Sequence, residues 1–162
     1  MIVADASPLI FLGRIEHLFL LPELFDSVLV PGIVFHEVTG FGERPGALAV
    51  RAAKDQGLIK VIDFARTERV DRLVELVDAG EAYAIALAIE RGITQILMDD
   101  LVGRRLSQSR GLAPIGTLGV LVQAKRRGLI TDLKPLLDAV ESAGLRMTPT
   151  LRIHIEQLAE QA

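Results

Sequence analysis

"ILMDDLVGRR", residues 96–105, joins an apolar run that reads as a buried strand to two adjacent carboxylates, Asp99 and Asp100, and then to two guanidinium groups, Arg104 and Arg105. Neighbouring carboxylates repel, so placing both where a strand leaves a core calls for a partner: a helix N-terminus, an arginine or a metal ion. The scheme of strand, acid and helix recurs elsewhere. Residues 2–4 form a short apolar strand closed by Asp5, and "SPLIFLG" follows, with Ser7 read as N-cap and Pro8 as the first helical residue. "SVLVPG" places a strand at residues 28–30 and lets Pro31 open a helix through "IVFHEV".

Outward from these stretches, alternating patterns continue. A glycine-rich loop, "GFGERPG", precedes a helix over residues 47–56, and "LIKVID" reads as a third strand. "RTERVDRLVELV" has amphipathic helical spacing, and "DAGEAYAIALAIERG" is apolar on nearly all sides, as a buried helix is. "TQILM" is the fourth strand, "LAPIG" a short fifth, and "TLGVLVQAKRRGLI" a helix ending near Gly128. Two more helices close the chain, the last capped by Thr148 with Pro149 at its first position. Strands alternating with helices predict an α/β fold, a three-layer α/β/α sandwich around a parallel sheet of four or five strands. One domain over residues 1–162 is expected, with the closing helices (about 132–160) packed on it.

Half of the residues are hydrophobic and only 4% aromatic, which suits an aliphatic sheet covered on both faces. A net charge of −3 provides no global basic field, so a nucleic-acid ligand would need a local patch. The chain has no cysteine, which excludes disulfides and thiolate metal sites and suits a reducing cytoplasm. "MIVADASPL" lacks the basic lead and apolar core of a signal peptide, and no run reaches the length of a membrane span, so a cytoplasmic location is expected.

In a parallel sheet the C-terminal strand ends and the following helix N-termini share one edge, where ligands bind if strand order reverses. Asp5, Asp99 and Asp100 end strands, Glu37 lies in the helix after the second strand, and Glu81 opens the buried helix. Each has a plain structural reading. Asp5 can serve the turn into its helix, Asp78 and Glu81 have the spacing of a capping box, and Asp99 or Asp100 can cap the helix through "GRRLSQS". Together the acids would raise one another's pKa unless a cation sat among them, and only Arg14, Arg104 and Arg105 are evident nearby. An all-oxygen cluster suits Mg²⁺ or Mn²⁺, and His17, His36 and His154 show no ligand spacing.

"DASPLI", "PGIVFHEV", "DAGEAYAIALA" and the long stretch from "ILMDD" to "RRGLI" together resemble the PIN domain, in order and over nearly the whole chain. The likeness is nearest to a poorly characterised prokaryotic branch related to the VapC-type toxins. Mapped by this resemblance, the acids fall on Asp5, Glu37, Glu81 (where many relatives carry Asp) and Asp100 or Asp99, with Ser7 at the small-hydroxyl position. The resemblance implies a metal-dependent ribonuclease, the toxin of a toxin–antitoxin pair. Asp5, Glu37 and Asp100, with Asp99 as the alternative, would hold one or two Mg²⁺ (or Mn²⁺), and Glu81 would complete the site or orient water. It also implies a homodimer and a small antitoxin partner.

Arg104 and Arg105, with Arg44 and the run Lys125, Arg126 and Arg127, are candidate RNA phosphate contacts alongside Ser7. The basic run also sits where cations favour a helix C-terminus. Two other enzyme classes fit poorly: a haloacid-dehalogenase-type phosphatase wants Asp where Ser7 stands, and a response-regulator receiver domain leaves Asp99 and Asp100 misplaced. The alternative reading is a non-catalytic PIN-like module that binds RNA or a protein.

Overall fold

The computed structural model describes residues 1–40, 42 and 45–161. In chain order the elements are β1 (Ile2–Ala4), α1 (Ala6–Arg14), α2 (Leu20–Phe25), β2 (Val28–Pro31), α3 (Gly32–Thr39), α4 (Pro45–Asp55), β3 (Lys60–Ile62) and α5 (Glu68–Leu73). They continue as α6 (Ala79–Arg91), β4 (Gln95–Leu97), α7 (Leu101–Ser109), β5 (Ala113–Ile115), α8 (Thr117–Arg126), α9 (Lys134–Ser142) and α10 (Pro149–Glu160). The five strands make one parallel sheet in the order β3-β2-β1-β4-β5, the centre of an α/β/α sandwich.

Side chains of successive strand residues point to opposite faces, and the two halves of the core follow that alternation. Ile2, Ala4, Val28, Val30 and Leu97 face the layer built from α1, α2, α3, α4, α8, α9 and α10. Val3, Leu29, Ile96 and Met98 face α5 and the alanine-rich α6. Among the described residues no helix is long and apolar enough to cross a membrane.

The order of strands reverses at β1, which pairs with β2 on one side and β4 on the other. Ala4 lies opposite Leu97, and the Asp5 N–H donates to the Leu97 carbonyl at 3.0 Å. The ends of β1 and β4 are thereby locked side by side, at the kind of switch point where α/β folds bind ligands.

Several local readings shift. Asp5, extended and still bonded to β4, stands at the N-cap of α1, so Ser7 lies inside the first turn and caps nothing. Pro31 ends β2 and Gly32 begins α3. The amphipathic stretch over residues 66–77 is helical only to Leu73. Its tail folds into a turn in which the Leu76 and Val77 N–H groups both donate to the Leu73 carbonyl. The short α2 has no sequence signal, because its N-cap, Phe19, carries no capping side chain. Thr148 caps α10 through the Leu151 N–H at 3.1 Å, with Pro149 first in the helix.

Candidate functional site: an acid-lined sheet edge

The β1 terminus delivers Asp5, which is buried, to the edge where α3 and α6 begin or pass. The first turn of α6 comes next. Asp78 accepts from the Glu81 N–H at 2.8 Å while Glu81 accepts from the Asp78 N–H at 3.2 Å, a complete capping box. Between them sits Gly80, buried and without a side chain. A Cβ built on Gly80 would lie 2.6 Å from Glu37 Oε2, 3.5 Å from Asp5 Oδ1 and 3.6 Å from Asp78 Oδ1. Three carboxylates from three elements therefore crowd one Cα. Glu37 and Asp78, with Ile33, His36, Ala79 and Gly80, line an open concavity of about 500 Å³ there.

Glu81, also buried, reaches the other way, and its carboxyl carbon lies 3.4 Å from where a Cβ on Gly103 would stand, in the first turn of α7. That turn is capped by Asp100, which accepts from the Gly103 N–H at 2.9 Å. Glu81 thus bridges the Asp5 side and Asp100. Asp99 faces elsewhere. It accepts from both the N–H and the hydroxyl of Thr117, at 2.7 Å each, and so holds the start of α8. Arg104 donates to the Met98 carbonyl at 3.0 Å and is the cation nearest Asp99. Asp99 and Arg104 line a separate, mainly apolar concavity of about 840 Å³ with residues of α8 and α10.

The electrostatics follow the geometry. Burial pushes the Asp5 carboxyl up to about 7; the Ala6 N–H opposes this, and the charges of Glu81, Asp78 and Glu37 add to it. Burial also lifts Glu81 to about 7, helped by Asp78, Asp100 and Glu37 and opposed by the Asp78 N–H. Glu37 is raised by desolvation and by Asp78. Asp99 is raised by burial, against which Thr117 and Arg104 pull it down.

Compensating cations are few. The ion pairs among the described residues are Arg66–Asp71, Arg152–Asp138 and Arg152–Glu156, none at this edge. Arg14 is tied to the Ala143 carbonyl, Arg126 to that of Leu158 and Arg127 to that of Leu24. Arg105 is exposed on α7, Ser7 is half-buried in α1, and Arg44 lies outside the described residues.

Oxygen-only donors are the right chemistry for Mg²⁺ or Mn²⁺. Their spacing is not that of an assembled metal site, for no group of three or more His, Asp or Glu side chains among the described residues is placed to hold an ion. The comparison with known families bears on the chain as a whole. A family model described as DUF3368: PIN domain matches residues 1–161. The chain belongs to the PIN-domain family. A search of curated proteins and a search of solved structures each return no significant match. Within this PIN domain two participants escaped the sequence reading: Asp78 as a fourth charge facing the Asp5 side, and Gly80 as the space between the carboxylates. The D-x-G-E spacing signals a helix cap and carries no hint of the tertiary role.

Proposed function

We propose that this PIN domain works as a binding module whose acid-lined edge receives a positively charged group from a protein partner. The observation that supports this reading is the set of crowded carboxylates, with no ion pair to them among the described residues, in a concavity that the exposed apolar Ile33 of α3 also lines. A basic, apolar peptide segment would satisfy both features, neutralising the acids and covering the apolar rim. A small antitoxin-like protein of this kind is the partner the VapC-type resemblance suggests. RNA is the less favoured ligand for the edge itself, since phosphates would meet carboxylates there.

Metal-dependent hydrolysis of RNA is the second reading, favoured by oxygen-only acids gathered at one sheet edge, where burial lifts the carboxyls of Asp5 and Glu81 to about 7. In that case Asp5, Glu37 and Asp100, with Glu81, would be the donors for Mg²⁺ or Mn²⁺, and they would have to draw closer than they stand. The ion would supply Lewis-acid activation of the phosphodiester. Arg104 and Arg105 would steer the RNA, and two copies of the chain would form the homodimer. A cytoplasmic location is part of both readings.

One experiment separates them: incubation of the purified protein with mixed RNAs in Mn²⁺ or in EDTA, alongside binding of a fluorescent basic amphipathic peptide. Peptide binding weakened by Asp5→Asn, with intact RNA in both buffers, supports the module. Mn²⁺-dependent cleavage lost in Asp5→Asn supports the nuclease. Unaltered RNA together with no peptide binding defeats both.

A further inference from the structure

We infer that the concavity between β5, α8 and α10 is a binding site for a small amphiphile, an aliphatic chain that ends in a carboxylate. Asp5, Glu37, Asp78, Glu81 and Asp100 do not line it, so it stands apart from the acid edge. Its volume of about 840 Å³ lies within the range of sites for small organic molecules. The wall is aliphatic, with Ile115 from β5, Leu118 from α8, and Leu151, Ile155 and Leu158 from α10. Gly116 and Gly119 add no side chain to it. The helix α10 is pinned to both of its neighbours. Arg126 of α8 donates to the Leu158 carbonyl at 2.8 Å, and Arg152 pairs with Asp138 of α9 at 2.7 Å. The space is therefore a feature of the packed fold and not of a loose helix.

An aliphatic wall by itself names no occupant, and the charges do. The chain carries a net charge of −3, yet this cavity is lined by Arg104, Arg146 and His154 against one carboxylate, Asp99. Both oxygens of Asp99 already accept from Thr117. Neither arginine forms an ion pair among the described residues. Half-buried Arg104 donates one N–H to the Met98 carbonyl, and a guanidinium has five to give. Arginine beside an apolar wall suits a carboxylate, which it can hold through paired hydrogen bonds. Two arginines against one aspartate leave an excess of one positive charge, which a monoanion balances. A cationic amphiphile would be repelled, and a neutral one would leave the guanidinium groups unused.

The test is calorimetric titration of the full chain with decanoate below its micelle concentration, set against decanol and decyltrimethylammonium. Decanoate should bind once per chain and roughly ten-fold more tightly than decanol, the scale of a hydrogen bond to a charged group. Decyltrimethylammonium should bind more weakly than either. Leu151→Trp fills the space without altering charge and should abolish decanoate binding. Arg146 is exposed, so Arg146→Glu should leave the fold intact. It should weaken decanoate roughly three- to ten-fold and leave decanol unchanged. Absence of decanoate binding, equal affinity for decanol, or unchanged decanoate affinity in either variant would overturn the inference. Uptake that fails to saturate at one per chain would do so as well, since it marks adsorption to apolar surface. A dimer in light scattering that Leu151→Trp dissociates would also overturn it, because a second copy would then cover the cavity.

Discussion

On one side of the β4 terminus Asp99 receives the N–H and the hydroxyl of Thr117 and stands next to Arg104. On the other side Asp5, Glu37, Asp78, Glu81 and Asp100 face one another, and no ion pair among the described residues reaches them. The residue types are the same and the two regions are one peptide apart. The first region spends its charge on joining β4, α7 and α8. The second region keeps charge in a place where burial and repulsion both disfavour it, so its energetics improve when a positive group arrives.

The largest expected effect follows from removing the best-buried of these charges. In Asp5→Asn any Mn²⁺-dependent cleavage and any Mn²⁺-induced thermal shift should fall to background. The ligand-free protein should be more stable than wild type at pH 8. The sign follows from the titration: a carboxyl raised from 3.8 to about 7 on folding favours the native state most below about pH 3.8. That contribution is lost as pH rises through 7. Wild-type melting temperature should decline across this interval on account of Asp5 and Glu81, and more shallowly in Asp5→Asn. Parallel pH curves for the two proteins would erase the distinction between the regions.

A second effect belongs to the other side. Asp99→Ala leaves the Thr117 N–H and hydroxyl without their acceptor and should cost about 1–3 kcal/mol in chemical denaturation. Asp99→Asn keeps only one of the two acceptor oxygens that Thr117 uses and should cost about 0.5–1.5 kcal/mol, the scale of one hydrogen bond. Asp100→Asn contrasts with both. Asparagine caps helices as well as aspartate does, so stability should change by only a few tenths of a kcal/mol. Partner binding or metal-dependent cleavage should nevertheless drop, because the charge beside Glu81 is gone. Single-turnover assays on the two Asn variants sharpen the contrast, and a dead Asp99→Asn beside a normal Asp100→Asn would reverse it. The smallest effect is that of the exposed Arg105. Arg105→Ala should leave melting unchanged and weaken RNA binding, if RNA binds, with a shallower dependence on salt.

The sheet was legible because its strands are short apolar runs that end on Asp5, Pro31 and "MDD", and because the intervening segments carry helical spacing. The capping box of α6 was legible for the same local reason: its partners lie three residues apart. The other relations are tertiary. Thr117 reaches Asp99 from eighteen positions away, carried there by β5, and no periodicity announces that. The approach of Glu37 to Gly80 depends on how α3 packs against α6, which the pattern of either helix leaves open. Residues 66–77 misled because amphipathic spacing continues through a turn as readily as through a helix.

The pairing of β1 with β4 also bears on how the chain comes to have a site at all. Ile2 lies beside Gln95, more than ninety positions later, so the central strand is synthesised long before one of its neighbours exists. Contacts so distant in sequence form late, because a long loop must close before they stabilise anything. Without β4 the Asp5 N–H lacks its Leu97 acceptor, and Asp100 has no place beside Glu81. A nascent chain ending before β4 carries Asp5, Glu37, Asp78 and Glu81 but lacks Asp100 and the strand that pairs with β1 on that side. The arrangement is complete only when β4 lies beside β1 and brings Asp100 to Glu81.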